Sequence, residues 1–236
     1  MISRMRTGIV VSAAATVAAL FPVTSPATAT AADDGCSDVT LIFARGTNEP
    51  SGIGQTGQDF VDQLIPRLQG RTLTVRPVEY SASLDFWNSA IEGIADTANA
   101  VRNIESQCAS TQVVLGGFSQ GAAVVGYTTS AAVPEGIDPA DVPSPLGAED
   151  AARVSSVVMF GTPTRSNLGI ISAPPITIGP SFQEKTLQLC HVDDPVCVDG
   201  GREWSAHNSY TSDGMMPRAA DFVVEHLAPA PISKMH

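Results

Sequence analysis

The chain has 236 residues, a formal net charge of −11, and 43% hydrophobic against 16% charged residues. Such an acidic balance argues against nucleic acid and anionic membranes as partners. The length fits one sizeable domain behind a processed leader, and no internal repeat is present.

Residues 1–31 read as a secretion signal. Arg4 and Arg6 give a basic start, Gly8 to Val23 is apolar and uncharged, and Ala27-Thr28-Ala29 and Ala29-Thr30-Ala31 both fit a small-residue cleavage site. A membrane-anchoring helix is the alternative; Pro22, Pro26 and the lack of a later span weigh against it. Removal of the two arginines leaves residues 32–236 as a single domain with a charge of about −13. An exported chain meets oxidising conditions, so Cys36, Cys108, Cys190 and Cys197 are expected to form two disulfides. The short spacing of Cys190 and Cys197 favours a small closed loop, which leaves Cys36 for Cys108. A metal site is the competing reading, but C-x-x-C spacing is lacking and only His191 adjoins a cysteine of that pair.

In chain order, Val39 to Ala44 reads as a buried strand and Gly57 to Leu68 as a helix, with Phe60, Val61, Leu64, Ile65 and Leu68 at helical spacing. Thr72 to Val78 alternates as a second strand, and Asp85 to Gln107 carries a long apolar helical face from Phe86 to Ile104. Thr111 to Gly116 is a third strand, followed by a helix over Ser119 to Ser130. Val133 to Asp150, rich in Pro, Gly and Asp, reads as a surface loop. Val154 to Phe160 and Thr186 to Cys190 are further strands, and Arg218 to Leu227 a closing helix. Strands alternating with helices predict an α/β fold with a mainly parallel sheet covered on both faces. Reactive groups in such sheets gather at the carboxyl ends of the strands.

Gly117-Phe118-Ser119-Gln120-Gly121 matches G-x-S-x-G between a strand-like and a helix-like run. In that motif the serine occupies a tight strand-to-helix turn, side chains at the glycines would collide with neighbouring backbone, and the next N–H faces developing negative charge. The bland reading is a helix N-cap serine. A nucleophilic serine needs a base, and the base an orienting acid. His191, His207, His226 and His236 follow Ser119. His236 ends the given sequence, His226 falls in the closing helix, His191 adjoins a strand end, and His207 lies in the polar stretch WSAHNSY where a base can fold back over the sheet edge. Acid candidates are Asp193, Asp194 and Asp199, the first two inside the loop that Cys190 and Cys197 would close. Spacing does not separate Asp193 from Asp194, and both also suit turn formation beside Pro195.

Four blocks together resemble the cutinase family of secreted serine esterases: Cys36 followed by IFARGTNEPSGIGQTG, the block GGFSQGAAV, CHVDDPVC over Cys190 to Cys197, and HNSY over His207 to Tyr210. The resemblance implies an α/β-hydrolase-like three-layer sandwich with a five-stranded parallel sheet and little or no lid. It implies Ser119 as nucleophile, Asp194 as acid, His207 as base, and Thr47 (through N–H and hydroxyl) and Gln120 as the oxyanion hole. It also implies the disulfides Cys36–Cys108 and Cys190–Cys197. Phe118 stands where the family usually has tyrosine. The Val133 to Asp150 loop is longer and more acidic than in compact fungal members and is similar to the actinobacterial branch, whose members vary in substrate.

The expectation is therefore a secreted, monomeric esterase acting on ester, lipid or polyester substrates through an acyl-enzyme, with no metal or organic cofactor. The same triad would also serve an acetylxylan esterase, phospholipase or thioesterase; a non-catalytic binding protein on the same scaffold is the remote alternative. Apolar residues between Ile170 and Phe182 either line an acyl-binding wall or pack in the core.

Overall fold

A computed structural model of the protein describes residues 35–229. The expected signal segment 1–31, including Arg4 and Arg6, and His236 lie outside the described residues.

In chain order the described elements are β1 (Val39–Ala44), α1 (Gly54–Leu64), β2 (Leu73–Pro77), α2 (Phe86–Gln107), β3 (Gln112–Phe118), α3 (Gln120–Thr128), α4 (Ala148–Arg153), β4 (Val154–Phe160), α5 (Arg165–Ile170), α6 (Pro180–Gln183), β5 (Thr186–Leu189), α7 (Trp204–His207) and α8 (Met215–His226). The five strands form one sheet in the order β2-β1-β3-β4-β5, every pairing parallel. All six residues of β1 are buried, as a central parallel strand covered on both faces requires.

Alternate strand residues feed two cores. Leu41, Phe43, Val114 and Phe160 face Phe60 and Leu64 of α1 and Ala219 and Val223 of α8. Ile42, Ala44, Leu115 and Met159 face Ala90, Ala98 and Val101 of α2 and Ala122, Val124 and Val125 of α3. The result is three layers, helix–sheet–helix. Every residue of α3 is buried, because it is wedged between sheet and α2 and reads apolar or small all round.

This strand order fixes where a site can form. From β1 the chain turns to β2 on one side; from β2 it crosses back to β3 on the other. The loops leaving β1 and β3 diverge at their carboxyl ends, and a crevice opens between them. Residues 45–53 leave β1 there, and Ser119 leaves β3.

Several boundaries differ from the sequence expectation. α1 starts at Gly54 and ends at Leu64, with Ile65–Arg67 forming a tighter 3-10 turn at Pro66, where an interior proline lacks the N–H to continue. β3 runs on to Phe118: Gly116 and Gly117 still pair with Phe43 and Ala44, and the Phe43 ring fills the space a Gly116 side chain would need. The expected loop after α3 ends in a helix, α4, held by Asp150 accepting from the Gly147 N–H at 2.9 Å. α8 begins at Met215 rather than Arg218, since Pro217 sits in the first turn, where its missing N–H costs nothing. The short helices α5, α6 and α7 have too few residues to show a period.

Candidate active site

The turn from β3 into α3 puts Ser119 at φ 56°, ψ −117°, a sparsely populated conformation for a residue with a side chain. Its N–H donates to the Phe160 carbonyl at 2.9 Å, which anchors the turn on β4. A Cβ on Gly117 would run into the Gly121 carbonyl, and one on Gly121 into the Ala44 carbonyl. The two glycines let α3 approach β1 and β3 closely enough for this turn. α3 proper starts at Gln120, so Ser119 projects from the turn rather than from the helix, and its side chain does not cap α3.

Ser119 Oγ lies 2.9 Å from His207 Nε2. His207 Nδ1 lies 2.8 Å and 3.0 Å from the two oxygens of Asp194. Asp194 is wholly buried and His207 nearly so. Besides the imidazole, the carboxylate accepts from the Val196 N–H at 2.7 Å and the Tyr210 hydroxyl at 2.5 Å. Burial disfavours its charge, but the hydrogen bonds from His207, Tyr210 and Val196 outweigh burial and hold the carboxyl below the usual carboxylate range. Burial, then the Asp194 charge, push the Tyr210 hydroxyl far up, so it stays a donor.

The Cys190–Cys197 disulfide closes the loop that carries Asp194, and Cys36–Cys108 ties the start of β1 to the end of α2. Within the loop, Asp193 adopts a left-handed backbone (φ 64°) with an exposed side chain, acting as the turn former that lets Asp194 point inward. Asp199 is exposed at the cleft mouth. His191 faces Asp213 at 3.4 Å, and His226 Nδ1 is hydrogen-bonded to Phe222 O at 2.8 Å at the end of α8. Of the histidines and aspartates named from sequence, the structure brings His207 and Asp194 to Ser119.

Packing fixes the imidazole from below. The Phe118 ring stacks on it at 4.8 Å, and Tyr210 meets Phe118 edge-on. Gly161, with φ 62°, leaves room that a side chain would take from both His207 and Tyr210. The roles of Phe118 and Tyr210 were not assigned from sequence. The signal was present in the spacing: Tyr210 follows His207 by three residues.

Across the crevice, the Thr47 hydroxyl donates to Gln120 Oε1 at 3.2 Å. Gln120, itself fully buried, donates through Nε2 to the Ser83 and Phe86 carbonyls. The Thr47 hydroxyl proton is thus engaged with Gln120 and must rotate before it can serve an oxyanion. The Gln120 N–H belongs to the first turn of α3, where helices leave amides without intrahelical partners.

Ser119 opens into a cleft of about 900 Å³ lined by Leu84, Phe86, Ile170, Ile171, Pro195 and Trp204 among others. Leu84 (82% exposed), Ile170 (80%) and Trp204 (65%) leave large apolar groups in solvent at its mouth. Of the apolar stretch from Ile170 to Phe182, Ile170 and Ile171 border the cleft, whereas Phe182 is core and Ile176 packs on α3 against Tyr127. Among the described residues no helix is long and apolar enough to cross a membrane.

Comparison with known proteins places the fold among ester hydrolases. The Cutinase family model matches residues 35–227. The chain is 44% identical over 174 residues to a probable carboxylesterase, Culp5, of Mycobacterium tuberculosis, covering 74% of this chain and 98% of that protein. It is 38% identical over 214 residues to Phospholipase Culp4 of the same organism, covering 91% and 89%. Among solved structures, a Trichoderma reesei cutinase bound to a phosphonate inhibitor superposes with a TM-score of 0.64 at 33% identity, covering 83% of this chain and 79% of the other. An acetyl xylan esterase superposes at 0.66 with 25% identity, covering 82% and 100%. Parallel five-stranded sheet, family match and carboxylesterase relatives lead to one conclusion: the chain belongs to the cutinase family and is a carboxylic ester hydrolase.

Proposed function

We propose that the protein is a secreted serine esterase that cleaves short- to medium-chain acyl esters, polyesters such as cutin among them, through an acyl-enzyme. The observation that carries this reading is the unbroken chain of contacts from Ser119 to His207 to buried Asp194 at the floor of an apolar cleft. His207 Nε2 takes the Ser119 proton as Oγ attacks the ester carbonyl. Asp194 keeps the Nδ1 proton in place and stabilises the imidazolium. The N–H groups of Thr47 and Gln120 receive the oxyanion. Collapse of the tetrahedral intermediate breaks the bond to the alcohol oxygen, which leaves with the proton from His207. Water then repeats the sequence on the acyl-serine, releasing the acid and restoring the Ser119 hydroxyl.

The rim of Leu84, Ile170, Ile171 and Trp204 favours an acyl chain or lipid ester over the polar backbone of an acetylated polysaccharide. A phospholipase reading therefore stands ahead of an acetylxylan esterase reading, and the phospholipase relative supports it. Secretion rests on the signal-like segment 1–31 and on two disulfides, which persist in oxidising compartments. The proposal further takes residues 32–236 as one domain that works as a monomer. The test is hydrolysis of esters from C2 to C16, tributyrin, phosphatidylcholine and a polyester film by one preparation, with Ser119→Ala alongside. Turnover retained in Ser119→Ala refutes the nucleophile; a strict C2 preference refutes the lipid-ester reading.

A further inference from the structure

Resting on that reading of Ser119, we propose that Glu49 is a positioning residue for the oxyanion hole. Glu49 Oε2 accepts the Gly46 N–H at 2.5 Å, and Oε1 accepts the Gln55 N–H at 3.0 Å. The first bond fixes the amide directly before Thr47. The second anchors the same carboxylate on the first turn of α1, where helix amides lack intrahelical partners. Its slot is walled by glycines: a side chain on Gly54 would fall on the carboxylate, and one on Gly46 would meet both Glu49 and the Phe118 ring.

The rest of the loop closes around this contact. The Asn48 N–H donates to Ala82 O at 2.7 Å with Asn48 in a left-handed conformation (φ 60°), and the Glu49 N–H reaches back to Gly46 O at 3.3 Å. Buried Arg45 donates to Glu49 O at 2.9 Å and to Tyr80 O at 2.8 Å, while the Tyr80 hydroxyl donates to Arg45 O. These bonds tie the loop on both sides of Thr47 and hold its N–H in one orientation.

A carboxylate this close to the cleft repels a developing oxyanion, so charge alone would disfavour acid at this position. Two backbone donors on two carboxylate oxygens explain its presence. A neutral glutamine of the same shape satisfies one donor and turns its own NH2 against the other. Electrostatics and positioning therefore predict opposite outcomes for Glu49→Gln: faster turnover if charge dominates, slower if loop geometry does.

The experiment compares kcat and KM on p-nitrophenyl butyrate, the rate of Ser119 labelling by a fluorophosphonate, and Tm for wild type and Glu49→Gln. The expected result is a kcat reduced by roughly 10- to 100-fold, comparable to loss of part of one oxyanion donor. Labelling should slow in parallel, with KM within about twofold and a folded protein of similar Tm, because only the transition state uses the displaced amide. In Glu49→Ala, added formate should restore part of the activity, with at most a small rise in Tm, by refilling the glycine-walled slot. Unchanged or raised kcat in Glu49→Gln overturns the proposal, as does loss of activity that merely follows loss of fold with no formate rescue. Failure of the triad reading looks different: wild type itself would then escape labelling at Ser119.

Discussion

Tyr210→Phe removes one oxygen and leaves the ring. That ring is fully buried between Phe160, Phe118 and His207, so its packing survives the change. What is lost is the 2.5 Å hydrogen bond to Asp194 Oδ2 and a weaker 3.3 Å contact with Cys197 Sγ. Asp194 has no access to water, so nothing replaces the donor. Hydrogen bonds to charged groups contribute about 1.5–3 kcal/mol. For a domain of this size that corresponds to a fall in Tm of about 3–12 °C. The pH dependence follows from Asp194, whose folded-state pKa lies below its unfolded value. Its contribution to stability is present above the ordinary carboxylate range and is lost as pH falls through the folded value. Without the Tyr210 donor the folded value moves up, so the variant should be less stable at neutral pH and unfold at a higher pH on the acid side. Because Asp194 keeps both contacts with His207, kcat at pH 8 should fall less than about tenfold. Thermal unfolding at pH 4, 5 and 7, with p-nitrophenyl butyrate turnover, tests this. A Tm within 1 °C of wild type at every pH would show that the hydroxyl does not hold the carboxylate, and the electrostatic account of Asp194 would be wrong.

Ser119→Ala should lower kcat by at least about 10⁴-fold with Tm unchanged or raised, since it removes the proposed nucleophile from a strained turn; calorimetry and ester turnover on the same sample decide it. The Cys190→Ser, Cys197→Ser double variant should lose about 2 kcal/mol and, by loosening the loop that carries Asp194, lose activity in proportion; full activity would separate the disulfide from the proton relay. Asp96, paired with Arg76 at 2.8 and 2.9 Å and bonded by the Glu79 N–H, has its carboxyl held low by these contacts against the opposing effect of burial. Asp96→Asn should therefore reduce stability at pH 7 but much less at pH 3, measured by urea unfolding. Leu84→Ser with Trp204→Ser should cut kcat/KM on dodecanoate esters by about tenfold while sparing acetate esters, through loss of apolar contact at the rim; equal loss on both would remove the rim from substrate binding.

The order of strands and helices was legible in the chain because the central strands β1, β3 and β4 are short, mostly apolar runs, β2 alternates, and each long helix repeats its apolar face over at least two turns. Those signals are local. The strand-to-helix turn at Ser119 was legible for the same reason: the glycines around it carry a steric requirement of the immediate backbone. The short helices α5 to α7 escaped because four to six residues cannot display a period, and the boundaries at Pro66 and Pro217 depended on where each proline fell within its turn.

The site divides in the same way. Sequence alone determined an α/β chain with Ser119 on a strand-to-helix elbow and a small set of histidines and aspartates able to serve it. Spacing left Asp193 and Asp194 equivalent. Tertiary structure separates them, since only one of two adjacent residues can face inward once Asp193 takes the left-handed turn. It also decided what no local pattern carries: the Tyr210 hydroxyl on Asp194, Phe118 beneath His207, the Thr47 hydroxyl turned to Gln120, and the Glu49 carboxylate shared by Gly46 and Gln55. The bridge from Thr47 to Gln120 joins segments that meet only because β1 and β3 lie side by side and the chain departs from them in different directions. Backbone preferences act over a few residues, whereas a hydrogen bond between distant segments exists only after the sheet has brought them together.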